Sequence, residues 1–230
     1  MLMQLVQRIR NKLFVELNPK IRENIIIPYN KHRLKANSKE VTLLCNNCIG
    51  GVIFHELGLK FMSPTINLWI KPTDFIKFCA NLQHYIHSKL VFQDASLFLP
   101  NFTNTYPIAL LDDIVIYFLH YSTEEEARQK WEERSKRINY DNIKCILVER
   151  DGCTEKDLLE FSHLPYPTAS LVHKPMYGIP DTYYVRGFEQ KSELGDIMVF
   201  KKNMYWGHKY FDDFDFVSFL NKSNKEYDIY

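Results

Sequence analysis

The stretch Val41-Thr42-Leu43-Leu44-Cys45-Asn46-Asn47-Cys48-Ile49-Gly50-Gly51 decides how this chain is read. Val41–Leu44 is an apolar run of strand type. The chain then passes through thiols, carboxamides and glycines before an amphipathic segment, Val52–Leu57, that ends at Gly58. Such a strand–turn–helix unit places side chains and backbone N–H groups at the carboxyl end of a strand, where open α/β sheets bind ligands. Cys45, Asn46, Asn47, Cys48, Gly50 and Gly51 at that place mark a candidate site. They do not spell out a reaction.

Outward from this unit, apolar runs alternate with helical patterns. Ile66–Ile70 reads as a strand or extended chain. Pro72 stands where a helix accepts proline, in its first turn, and Phe75, Ile76, Phe78, Cys79, Leu82, Tyr85 and Ile86 follow with helical spacing. Residues 91–105 read as a loop and Ile108–Leu111 as a short strand. Ile114–Leu119 is a continuous apolar run, as expected of a strand buried on both faces. Ser122, with Glu125 three residues on, predicts a capping box for a charged helix from Thr123 to Arg137. Cys145–Val148 reads as another buried strand. Thr154 with Asp157 opens a helix through Phe161, and Ala169–His173 is a further strand. The alternation predicts a layered α/β/α fold with a mostly parallel or mixed central sheet, plus an N-terminal amphipathic helix. The divisions expected are residues 1–38 for that helix and its linker, 39–222 for the α/β domain, and 223–230 for a polar tail.

If the strands are parallel, three exits share one edge: Cys45–Cys48, His120–Ser122 and Arg150–Thr154. Cys48 is then a candidate nucleophile at a helix start, where the dipole lowers a thiol pKa. Backbone amides from Asn47 to Gly51 would stabilise an oxyanion. His120 is the candidate base and Asp151 its orienting carboxylate. Arg150 would grip a phosphate or carboxylate, with Tyr121 beside His120 in the cleft. Other readings compete. Cys45 and Cys48 can be two small thiols filling a turn, or a redox pair without the usual flanking residues. A zinc half-site needs a second ligand pair that the sequence lacks, so no metal is expected. Most charge on the Thr123–Arg137 segment reads as a solvated face, with Arg134 or Arg137 as alternative ligands for a nucleotide diphosphate.

The 230 residues suit one sizeable domain, with 46% hydrophobic residues and a net charge of +1. That charge supplies no global field for nucleic acid. Five cysteines form no disulfide framework. Neither a signal peptide nor a membrane-spanning run is apparent, which predicts a cytoplasmic protein. Near the start, Leu2, Leu5, Val6, Ile9, Leu13, Phe14 and Leu17 share one helical face, and residues 1–40 hold nine Lys/Arg against three acids. Residues 1–18 are therefore expected to pack on the domain, to form a homodimer, or to make peripheral contact with the inner face of a membrane.

The run Cys45–Gly51, with Gly58-Leu59-Lys60-Phe61-Met62-Ser63-Pro64-Thr65, resembles a bacterial family of unknown function, DUF1919. Asp74–Phe78, His120–Ser122, Glu125–Ala127, Lys130-Trp131, Arg137–Asn139 and Arg150–Thr154 extend the resemblance in order over roughly residues 20–222. Many members carry Ser where this chain has Cys45. Members are often described as exopolysaccharide biosynthesis proteins, some as acetyltransferases. The resemblance thus implies a surface-polysaccharide role, with an acyl group moved to a sugar hydroxyl and acyl-CoA as a donor. A glycosyl- or phosphoryl-type transferase is the alternative enzyme, for which Asp213-x-Asp215 supplies a matching pair. A non-catalytic accessory protein of the same machinery is the third reading.

Overall fold

The computed structural model describes residues 12, 14–98, 106–202 and 204–223. Its centre is a four-stranded, wholly parallel sheet in the order β1-β5-β6-β7, made of β1 (Thr42–Cys45), β5 (Ile143–Val148), β6 (Thr168–Val172) and β7 (Thr182–Tyr184). Leu44 pairs with Cys145 and Cys45 with Ile146. Side chains alternate across a strand, so the sheet feeds two cores. Leu44, Cys145 and Leu147 pack with Phe75, Trp131 and Phe161 on one face. Leu43, Cys45, Ile146 and Val148 pack with Phe54, Phe211 and Phe219 on the other. Each such side chain contributes ~1.5–3 kcal/mol when fully buried. The expected layered α/β fold is therefore present, with a helical layer on each face.

The helices are α1 (Ile27–Arg33), α2 (Ile49–Leu57), α3 (Pro72–Ala80), α4 (Leu82–His87), α5 (Glu124–Ser135), α6 (Glu155–Ser162) and α7 (Phe216–Leu220). Pro72 stands in the first turn of α3 as its fixed φ allows. The helical pattern from Phe75 to Ile86 breaks in two at Asn81, whose φ of −124° and ψ of 41° leave the helical region. Thr154 and Asp157 form the expected capping box. At α5 the cap lies one residue later than the sequence suggested. Thr123, not Ser122, accepts from Glu126 N–H, and Glu126 reaches back to Ser122 N–H.

One expectation fails. Ile114–Leu119 does not enter the parallel sheet. Strand β4 (Ile114–Tyr117) belongs to a separate antiparallel meander with β2 (Leu90–Gln93) and β3 (Ile108–Leu111). Two apolar runs separated by only Asp112-Asp113 form a hairpin, and Asp112 takes the left-handed φ of 57° that the turn demands. β2 also takes in residues 91–93 of the stretch 91–105 that read as loop. Ile66–Ile70 forms no named strand but spans the gap between the sheets. Trp69 and Tyr117 exchange two backbone hydrogen bonds of 2.9 and 3.0 Å, and Ile70 N–H donates to Asn46 O at 2.9 Å.

Most of residues 1–18 lie outside the described residues, and with them most of the apolar face read there. Residues 14–33 are helical, with a π-helical turn at Arg22–Ile26 leading into α1. This stretch is tied to the domain. Asn18 exchanges hydrogen bonds with Met204 O and Gly207 N–H. Buried Arg22 forks onto Glu56 at 2.7 and 2.6 Å and onto Asp212 at 2.7 Å. Among the described residues, no helix is long and apolar enough to cross a membrane.

Candidate functional site

Helix α2 starts earlier than the sequence suggested, at Ile49, with Cys48 as its N-cap. Gly50 and Gly51 are thus helical residues. A Cβ at Gly50 would stand 2.9 Å from Cys45 Sγ, and one at Gly51 would stand 2.8 Å from Asn67 Oδ1. The glycines let α2 lie close on β1 and on the Ile66-Asn67 turn, so both serve packing.

Asn46 is 0% exposed. Its Oδ1 accepts from Val148 N–H at 2.9 Å and its Nδ2 donates to Val148 O at 3.1 Å. The carboxamide therefore acts as one more rung between β1 and β5 and turns away from solvent, unlike the substrate ligand expected. Asn47 is buried as well, and its Oδ1 accepts from Ile49 N–H at 3.1 Å. Gly50 N–H donates to Cys45 sulfur. Two of the amides expected to hold an oxyanion are thus spent inside the turn.

Cys45 is buried and its thiol is pushed well above the ordinary range, first by burial. Cys48 is half-exposed, and its Sγ lies 3.1 Å from His120 Nε2. The partners come from different sheets. Cys48 follows β1, and His120 follows the antiparallel β4. Their meeting depends on the bridge through Trp69 and Ile70, not on a shared parallel edge. The thiol pKa is raised, not lowered. Burial pushes it up, Arg150 pulls it part of the way back, and Asp196 adds to the rise. Desolvation outweighs the helix start here. In the resting molecule the proton therefore stays on the Cys48 sulfur.

Arg150 and Asp151 sit in the same cleft, a cavity of ≈170 Å³ lined by Asn47, Cys48, Trp69, Leu119 and Met198 with that pair. Asp151 does not orient His120. Its Oδ2 accepts from Trp69 Nε1 at 2.8 Å and from Arg150 Nε at 3.2 Å, and no hydrogen bond joins it to His120 among the described residues. Asp151 holds a left-handed φ of 59°, followed by Gly152 at 83°. Held strain of this kind costs ~1–3 kcal/mol and recurs at functional turns. Here it aims a carboxylate at the indole and fixes the guanidinium beside the thiol.

Tyr121 is buried and does not line the cleft. Its hydroxyl donates to Ile66 O at 3.1 Å and accepts from Arg134 Nη1 at 2.5 Å. Arg134 also donates to Ile66 O at 2.9 Å, and Arg137 donates to Phe61 O and pairs with Glu133. Neither arginine serves as the diphosphate ligand considered above. Arg134 instead anchors the residue after His120. Asp213 pairs with Lys201 and accepts from Arg186 N–H, while Asp215 caps α7 and pairs with Arg33. Both members of that acidic pair are engaged away from Cys48.

Trp69, Leu119 and Met198 were absent from the sequence reading of the site. Trp69 carried a usable signal, an indole inside an otherwise aliphatic run. Met198 arrives from a loop with no pattern. A further group was also missed at the carboxyl edge. Glu149 follows β5 and His173 follows β6. Both are buried, with Nδ1 of His173 2.6 Å from Glu149 Oε2 and His173 N–H donating to the same carboxylate at 2.9 Å.

The model of a domain of unknown function, DUF1919, matches residues 19–221. A protein of Haemophilus influenzae strain Rd, described as uncharacterised, is 36% identical over 189 residues, covering 81% of this chain and 87% of the relative. Both matches take in the turn after β1, the His120 loop and the Arg150–Asp151 turn.

Proposed function

Since this chain belongs to the DUF1919 family, we propose that the family's site is a thiol–imidazole dyad that carries an acyl group on Cys48. The observation that carries this reading is the 3.1 Å contact between Cys48 Sγ and His120 Nε2 in an open cleft. The thiol is protonated at rest, so attack needs the base. As sulfur attacks the carbonyl carbon of an acyl thioester, its proton passes to His120 Nε2. The donor's C–S bond breaks, and His120 returns that proton to the leaving thiolate. A hydroxyl then attacks the Cys48 thioester, giving its proton to His120. The Cys48–acyl bond breaks and sulfur recovers the proton. This is the general-base logic of an activated nucleophile. Arg150 binds an anionic part of the donor and eases thiolate formation.

A cleft of ≈170 Å³ is smaller than the ~300 Å³ at which ordinary small-molecule sites begin. It suits an acyl group of acetyl size, with the rest of donor and acceptor lying outside. A sugar hydroxyl of surface-polysaccharide biosynthesis is the acceptor that the family resemblance implies. The test is incubation with acetyl-CoA followed by intact mass and peptide mapping. The expected result is one acetyl group on Cys48, retained in Cys45→Ser, slowed in His120→Gln and absent in Cys48→Ala. An adduct that persists in Cys48→Ala, or no adduct at all, overturns the proposal.

A further inference from the structure

A larger cavity of ≈480 Å³ lies between the end of α4, the start of β2 and one stripe of α5. None of its lining residues lines the Cys48 cleft. Arg128, Trp131 and Ser135 recur at helical spacing along α5, with Lys136 just past its end, so one helix face builds one wall. The floor is apolar, with buried Leu90 and Trp131, and exposed Tyr140 stands at the rim.

Basic side chains outnumber acidic ones in this cavity. Arg128, Lys136 and Lys89 bring three permanent cations against the single carboxylate of Glu132. Two helices end here, but their carbonyl ends carry only about half a negative charge each. Those of α4 are partly covered, since His87 Nδ1 lies 2.6 Å from Gln83 O and Ser88 donates to His84 O. Arg128 is held in place. Its Nη1 donates to Leu90 O at 3.3 Å and its guanidinium lies 5.0 Å from the Phe92 ring centroid. Its other N–H groups remain for an anion, in the planar fork that suits phosphate. Ser135 also belongs to the wall, with its Oγ buried and without a hydrogen-bond partner among the described residues.

We propose that this cavity binds a nucleoside phosphate: the phosphate meets Arg128, Lys136 and Lys89, and the base lies over the apolar floor beneath Tyr140. The volume falls in the range of ligand-sized sites. The combination of cations with an aromatic rim favours a flat, anionic ligand over a neutral sugar. The inference does not depend on acyl transfer at Cys48.

The test is titration calorimetry of the full chain with ADP and with UDP, alongside adenosine, uridine and inorganic pyrophosphate. Saturable nucleotide binding tighter than about 1 mM is expected. Lys136→Glu, a change at an exposed residue, should weaken it by about tenfold or more. Arg128→Gln, checked for folding by its thermal transition, should do the same. Three results overturn the proposal: no saturable binding, binding kept in Lys136→Glu, or pyrophosphate binding as tightly as the nucleotides.

Discussion

Replacing Asn46 by Asp changes one atom pair and should convert a silent structural residue into a pH-dependent fault. The native carboxamide donates to Val148 O at 3.1 Å and accepts from Val148 N–H at 2.9 Å, with no exposed surface. A protonated aspartic acid can make both bonds. An ionised one keeps the acceptor but sets an oxygen against the Val148 carbonyl in a buried site. Burial without a donor raises a carboxyl pKa in the folded state above its unfolded value near ~3.9. A raised acid pKa means that the variant is close to wild type below the unfolded value and loses stability as pH rises toward the folded one. The loss grows by at most ~1.4 kcal/mol per pH unit. Between about pH 4 and pH 7 it should reach ~3–4 kcal/mol by that slope, capped by local opening of the turn. Asn46→Ala sets the scale independently, since a buried donor and acceptor left unmade cost ~1–3 kcal/mol each. Urea unfolding at matched pH values measures the difference from wild type. With a slope near ~2 kcal/mol per molar, 3 kcal/mol moves the midpoint by about 1.5 M. A difference for Asn46→Asp that stays flat from pH 4 to 7 would show that this carboxamide does not hold β1 to β5.

Two other perturbations test the frame around the site. Arg22→Ala takes the guanidinium from buried Glu56 and Asp212, leaving Glu56 with Lys209 Nζ and Asp212 with Lys209 N–H, and should cost ~3–5 kcal/mol, about 6–20 °C in thermal midpoint for a chain of this size. Burial would raise the Glu56 carboxyl, but Arg22 and then Lys209 hold it below its usual range. A depressed acid pKa gives stability above the unfolded value that is lost as pH falls, so the penalty of Arg22→Ala should shrink below about pH 4; a constant penalty there refutes the pairing. Gly51→Ala would gain ~1 kcal/mol in a free helix. Here its Cβ meets Asn67 Oδ1 at 2.8 Å, and Asn67 already sits at φ 62°. A net loss of ~1–3 kcal/mol is expected, and a raised thermal midpoint would contradict the close approach.

The parts of this fold that were legible in the sequence rest on local chemistry. Pro72 at a helix start, Thr154 with Asp157, and the apolar runs of β1, β5 and β6 each state their conformation within a few residues. The meeting of Cys48 with His120 was anticipated, but through the wrong geometry. Ile114–Leu119 is apolar enough for a buried parallel strand. Only the two-residue gap at Asp112-Asp113 separates that reading from a hairpin. The roles of Asn46, Gly51 and Tyr121 were not legible, because they depend on partners on other segments, Val148, Asn67 and Arg134, and that of Gly50 depends on how closely α2 folds back on Cys45. The sign of the Cys48 shift was missed for a related reason. A helix start is visible in sequence, whereas the walls that desolvate a thiol come from Trp69, Leu119 and Met198 on separate segments.

Trp69 and Ile70 occupy a singular mechanical position. One residue is laced to β4, the next to the turn after β1. This short tie is therefore one of the fastenings that keep the sulfur and the imidazole together. Its local opening free energy, which can be far smaller than that of global unfolding, sets the fraction of time for which the two halves of the dyad exist as a pair. Any variant that slackens the tie acts as a clutch. It disengages the imidazole from the sulfur while both sheets stay folded, so the reactivity of Cys48 toward an alkylating reagent can change with no sign in a melting curve.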